Sequence, residues 1–107
     1  MLCDLTKIPE HIRYGMFRYV EYGNVPGNWM CYLLSNDLIR SWGFADTTNR
    51  EAMGDLVNFL YNDIPSPCKG SEKAIEAWNE AGGAKGQDIP IEYKGHYPDW
   101  FDKEDRE

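Results

Sequence analysis

The stretch "NVPGNW", residues 24–29, places a proline, a glycine and an indole at the mouth of a strongly apolar segment. The first turn of a helix carries N–H groups without intrahelical partners, and these suit an anion. Gly27 would let a ligand approach the backbone, and Trp29 offers a face on which a base can stack. Arg13, Arg18 and Arg50, with Arg40 as a further candidate, are guanidiniums that would neutralise a phosphate. Arg13, Arg18, Gly27, Asn28, Trp29 and Arg50 therefore form one candidate site, for a nucleotide. The competing reading makes Gly27 a turn residue and Trp29 part of the core. The segment has neither the P-loop pattern nor the dinucleotide fingerprint.

Other reactive side chains are sparse. His11 and His96 are the two histidines, and neither stands at a ligand-like spacing from Cys3, Cys31 or Cys68. Cys68 lies in "SPCKGS", which serves as a turn before a helix cap and has no activating neighbour in sequence. General acid–base work needs two carboxyls held at a defined separation. Asp46 and Asp55 are explained by caps and solvated faces. Asn36 and Asp37 interrupt an apolar run, and are expected to bond to loop backbone. No catalytic residue, metal or cofactor is assigned, and the chain is expected to be a non-enzyme.

Asp99, Trp100, Phe101 and Asp102 are the second candidate site. They sit in the C-terminal stretch "YPDWFDKEDRE", where acids flank two large aromatics. This composition suits contact with a protein partner. The whole chain carries a net charge of −7 and an isoelectric point near 4.7. Direct nucleic-acid binding needs a basic footprint and is not expected. No long acidic run imitates a DNA backbone. Three cysteines without a CxxC pattern fit a reducing compartment rather than a disulfide framework. No leader and no membrane-length apolar run is visible, so a cytoplasmic location is expected.

The elements that would position these residues are helical. "PEHIRYGMFRYVEY" spans a first helix over 9–22, with Pro9 at its first position and Gly23 just past its end. Ile12, Met16, Tyr19 and Val20 recur at helical spacing, and Gly15 suggests close packing against a neighbour. A second helix over 28–42 carries Trp29, Met30, Leu33, Leu34, Leu38, Ile39 and Trp42. That breadth predicts a central helix touched from several sides. A third helix covers 48–61, with Thr48 and Glu51 at capping-box spacing and Met53, Leu56, Val57 and Leu60 as its stripe. Ser71 caps a fourth over 72–81, which packs through Ala74, Ile75 and Trp78 and stops at Gly82 and Gly83.

One domain is the natural organisation for 107 residues. The expected fold is all-α: a small bundle of about four helices over residues 1–83. Residues 84–107 are expected to be an irregular acidic and aromatic tail, packed on the domain or partly disordered. Within it "IPIEY" can pair as a short strand or lie extended.

Residues 8–83 resemble a family of small, mostly uncharacterised bacteriophage proteins. The likeness rests on "RYVEYGNVPGNWM", "NDL", "ADTTN", "YNDIP" and "CKGS" followed by "W" and "GG", in order and at similar spacing. The family pattern has a second proline where Val25 stands, Ser and Phe where Asn28 and Trp29 stand, and Trp where Lys69 stands. The resemblance implies a phage accessory protein in the cytoplasm of an infected bacterium, antagonising an antiviral defence by occupying a defence protein, as anti-CRISPR proteins do. Two alternatives stand beside it. One is a sponge that sequesters a nucleotide immune signal at the Gly27–Trp29 site. The other is a phage structural or assembly protein, forming a homo-oligomer.

Overall fold

A computed structural model of the chain describes residues 1–95. The site expected at Asp99, Trp100, Phe101 and Asp102 lies outside the described residues. In chain order the elements are β1 (Leu2–Asp4), α1 (Glu10–Tyr22), α2 (Asn28–Leu34), α3 (Leu38–Gly43), α4 (Thr47–Glu51), α5 (Met53–Asn62), α6 (Glu72–Glu80), α7 (Gly83–Gly86) and β2 (Glu92–Lys94). Short 3-10 turns occupy Leu5–Lys7 and Ser66–Cys68. The molecule is mostly helical, as expected, but built from more and shorter helices than four.

The apolar spacing of α1 buries Ile12, Met16, Tyr19 and Val20 on one face. Pro9 stands just before the helix rather than at its first position. Gly23 ends α1 in the left-handed conformation, with φ of 77°, and its N–H bonds to the Tyr19 carbonyl. Against that end packs the turn from α6 to α7. Trp78 is buried and donates its indole N–H to the Tyr19 carbonyl at 2.9 Å. The Tyr19 hydroxyl in turn donates to the Cys68 carbonyl at 2.6 Å, and Asn79 Nδ2 donates to the Gly23 carbonyl at 2.8 Å. Gly83 lies so close to Gly23 that a Cβ on it would meet the Gly23 nitrogen at 2.4 Å.

The third expected helix is bent into two. Asp46, not Thr48, caps α4, its carboxylate accepting from the Asn49 N–H at 2.7 Å. A break at Ala52 then starts α5, which buries Met53, Leu56, Phe59 and Leu60. Val57, expected in the buried stripe, is 46% exposed. Ser71 caps α6 as expected, its hydroxyl accepting from the Ala74 N–H, and Ile75 and Trp78 are buried. Gly15 has no neighbouring heavy atom within 4 Å of where a Cβ would stand, so close packing does not account for it.

After Gly83 the chain is more regular than expected. It makes α7, and then β2 pairs in parallel with β1 in the register Leu2↔Glu92, Cys3↔Tyr93, Asp4↔Lys94. Tyr93 stacks edge-on against Phe17 at 4.7 Å and donates to Glu21 Oε1 at 3.0 Å. The β1 end is held to α5 by Asp63, a buried carboxylate that accepts from Lys7 Nζ at 2.9 Å and from the Asp4 N–H at 3.2 Å.

Gly83→Ala is expected to cost about 3 kcal/mol or more, because overpacking adds to left-handed strain. Thermal unfolding followed by circular dichroism checks it: the midpoint should fall by roughly 15 °C. Gly27→Ala, whose added Cβ meets nothing within 4 Å, should leave the midpoint almost unmoved.

The β1 end also predicts a pH response. The Thr6 hydroxyl, bonded to Asp4, holds that carboxyl below its ordinary value of 3.8. Its contribution is complete above pH 3.8 and fades as pH falls through the lowered pKa. The bond to Asp63 raises Lys7 above its ordinary 10.5. That contribution is complete below pH 10.5 and fades as pH rises through the raised pKa. Denaturant titrations across pH should therefore show Asp63→Asn flattening the alkaline loss and Thr6→Val flattening the acid one.

Candidate functional site

The expected central helix over 28–42 is two helices, and the break decides what the surface offers. Asn36 adopts φ of 67°. Its N–H bonds to the Leu33 carbonyl, and the Asp37 N–H reaches back to the Tyr32 carbonyl at 2.8 Å. This pair of reversed bonds is the Schellman closure of α2. Asp37 then begins α3, its carboxylate accepting from the Arg40 N–H at 3.2 Å. Asn36 and Asp37 thus punctuate the chain; they do not bridge a continuous helix to a loop. The loop tie is made instead by the Gly70 N–H to the Leu34 carbonyl at 2.7 Å.

The turn rotates α3 away from the core. Of its residues only Ser41 is buried, with its hydroxyl on the Asp37 carbonyl at 2.6 Å. Leu38, Ile39 and Trp42, expected inside, are 60%, 82% and 52% exposed. Phe44 just beyond α3 and Val57 and Tyr61 on α5 are exposed with them. Between α3 and α5 runs a groove of about 390 Å³, lined by Leu33, Leu38, Ser41, Val57, Leu60 and Tyr61 among others. Lys69 closes one side. Its ammonium donates to the Leu60 carbonyl and, at 3.1 Å, to the Tyr61 carbonyl, capping the end of α5.

The mouth of α2 holds a second, separate cavity of about 410 Å³. Gly27, Asn28 and Trp29 line it, together with His11, Gly15 and Asn49. His11 Nε2 and Asn49 Oδ1 lie 3.1 Å apart at its edge. The ligand site expected from sequence is therefore brought together in half. Gly27 precedes α2 without a side-chain cap, and Asn28 is its exposed first residue. The Trp29 indole donates to the Ser41 carbonyl at 2.8 Å, which fixes it between α2 and α3.

The expected arginines do not line this cavity. Arg13 donates from Nε to the Ile8 carbonyl at 3.0 Å. Arg18 lies over the Tyr14 and Tyr22 rings, and the Asn24 amide oxygen, turned toward it, accepts from its Nε and a terminal nitrogen. Arg50 lies 5.1 Å over the Trp42 ring and donates to the Trp42 and Ala45 carbonyls at 3.3 and 3.4 Å. Each guanidinium is engaged in its own part of the fold.

Burial pushes the Cys3 and Cys68 thiols up to about 12, so both are protonated at neutral pH. Cys68 Sγ donates to the Pro65 carbonyl at 3.0 Å. Among the described residues no group of three or more His, Cys, Asp or Glu could hold a metal ion. Among the same residues no helix is long and apolar enough to cross a membrane.

The apolar shelf of α3 was hidden from the sequence by reading through Asn36–Asp37. An Asn that tolerates the left-handed region, followed by an Asp that caps well, was the available signal for a stop and restart. Comparison of the chain with protein-family models, curated proteins and solved structures finds no match.

Trp29→Phe keeps an aromatic ring but removes the indole N–H that joins α2 to the Ser41 carbonyl, with part of the ring's packing. It is expected to lower stability by about 1 kcal/mol in urea unfolding. The α3 resonances should shift more than those of α6 in an NMR comparison with wild type.

Proposed function

We propose that this chain is a non-enzymatic phage accessory protein that acts in the cytoplasm of an infected bacterium, binding a host defence protein and blocking it. The observation that carries the binding part is the exposed set Leu38, Ile39, Trp42, Phe44, Val57 and Tyr61. Large apolar side chains left exposed in this number mark an interaction site, and aromatics supply much of the energy at such sites. The phage and defence part rests on the sequence resemblance alone. The contact surface proposed is thus the α3–α5 face. Acidic residues elsewhere on the chain would favour encounter with a basic partner.

Sequestration of a nucleotide signal is a second reading, and the cavity at Gly27, Asn28 and Trp29 speaks for it. The engagement of Arg13, Arg18 and Arg50 elsewhere weighs against a phosphate-bearing occupant. Self-association through the same apolar face, as in a virion or assembly protein, is the third.

The test is phage plating on bacteria that carry defined defence systems and express the protein. Rescue of plating is expected against at least one system, with the defence protein co-purifying. Ile39→Asp and Phe44→Asp should each abolish both effects, while Arg13→Ala should leave them intact. Rescue that survives both aspartates would sink the proposal. A nucleotide found in the purified protein by native mass spectrometry would move the reading to the cavity.

A further inference from the structure

We infer that the α3–α5 groove receives one amphipathic helix of a partner protein, and that acidic side chains flank that helix's apolar stripe. The inference rests on the binding function proposed above and names the chemistry of its partner.

The shape argues for a helix. Both walls of the groove are helices, α3 and α5, whose interior backbone groups are bonded along each helix. They present no open sheet edge, so an extended segment could not gain main-chain bonds by joining them. An occupant that satisfies its own backbone and contributes only side chains fits such walls. Leu38 and Ser41 stand one turn apart on the α3 wall, and Val57 and Tyr61 stand one turn apart on the α5 wall. Two stripes at helical spacing with a trough between them receive anchors at positions i, i+3 or i+4, and i+7.

The charge argues for an acidic helix. Of the residues lining the groove, Lys69 alone is charged. Its ammonium spends two N–H groups on the Leu60 and Tyr61 carbonyls. An ammonium has three, and the third remains for a carboxylate. No other lining residue is charged, so none of them competes for that carboxylate. The molecule as a whole carries −7, which would favour basic peptides at long range. A preference for an acidic helix would therefore report the groove itself and not the net field.

Two designed helical peptides with the same leucine stripe test this, one flanked by glutamates and one by lysines. The full-length protein, labelled on its methyl groups, is titrated with each near physiological ionic strength. The expected result is that Leu38 and Val57 methyls shift with both peptides, and that the glutamate peptide binds at least threefold more tightly. Val57→Glu, at an exposed position, should abolish binding of both. Lys69→Glu should reverse the preference, and Lys69→Met should erase it. Circular dichroism on each variant establishes that α5 is intact, and the Lys69→Met result stands in for Lys69→Glu if the latter unfolds. Equal affinities, or tighter binding of the lysine peptide by wild type, would overturn the acidic partner. Binding of neither peptide, or shifts confined to α1, would overturn the groove. In that event a defence protein still captured through Ile39 and Phe44 would leave the binding function standing. Loss of that capture as well would remove both.

Discussion

Two glycine backbones in contact, Gly23 at the end of α1 and Gly83 at the start of α7, set the limit within which the rest of the fold is arranged. Neither can carry a side chain, because each would drive a Cβ into the other's main chain. That approach lets the α1 end sit directly on the α6–α7 turn. It brings Trp78 within bonding distance of the Tyr19 carbonyl, and Tyr19 onto the Cys68 carbonyl. The polar groups of the core are thus matched donor to acceptor across three segments that are distant in sequence. An unmatched group at such a depth costs a large share of a small domain's margin. The close approach and the hydrogen-bond chain depend on each other.

From that anchored half the chain runs out through α2 to a different regime. The Schellman closure at Asn36 and the Asp37 cap divide one apolar run into a buried helix and an exposed one. Leu33 and Leu34 face the core, while Leu38 and Ile39, a few residues on, face outward. The exposed residues gain nothing for the fold from their hydrophobicity, and the core does not need them. Surplus apolar area held on a rigid, capped helix is what a docking surface requires.

How much of this was legible depended on whether the deciding signal was local. The first and fourth helices were readable because Gly23, Ser71 and Gly82 carry strong stop and start chemistry at the right spacing. The break in the second helix was also written locally, in Asn36–Asp37, but the apolar count on either side outweighed it. The third helix failed similarly: Asp46 lies two residues before the Thr48–Glu51 pattern and took the cap. Pairing of β1 with β2 was not legible, because register across most of the chain has no local signature. Of the candidate ligand site, the contiguous Gly27–Asn28–Trp29 reached one cavity. The arginines did not, since sequence supplies their charge and says nothing of which carbonyls and rings will claim it first.

The parallel pair joins position 2 to position 92, so the whole helical region is made between its two strands. At about 5–20 residues per second, β1 waits on the order of 5–20 s on the ribosome before its partner exists. During that time α1, α2 and α6 can form from local contacts, whereas the strand can only stay unpaired. Its ladder groups are open to other chains over the same interval. Three residues is a short edge, and Asp4 with its Thr6 bond ends it in a charge. Brevity and that terminal carboxylate limit what a neighbouring nascent chain can add to the strand while it waits for its partner.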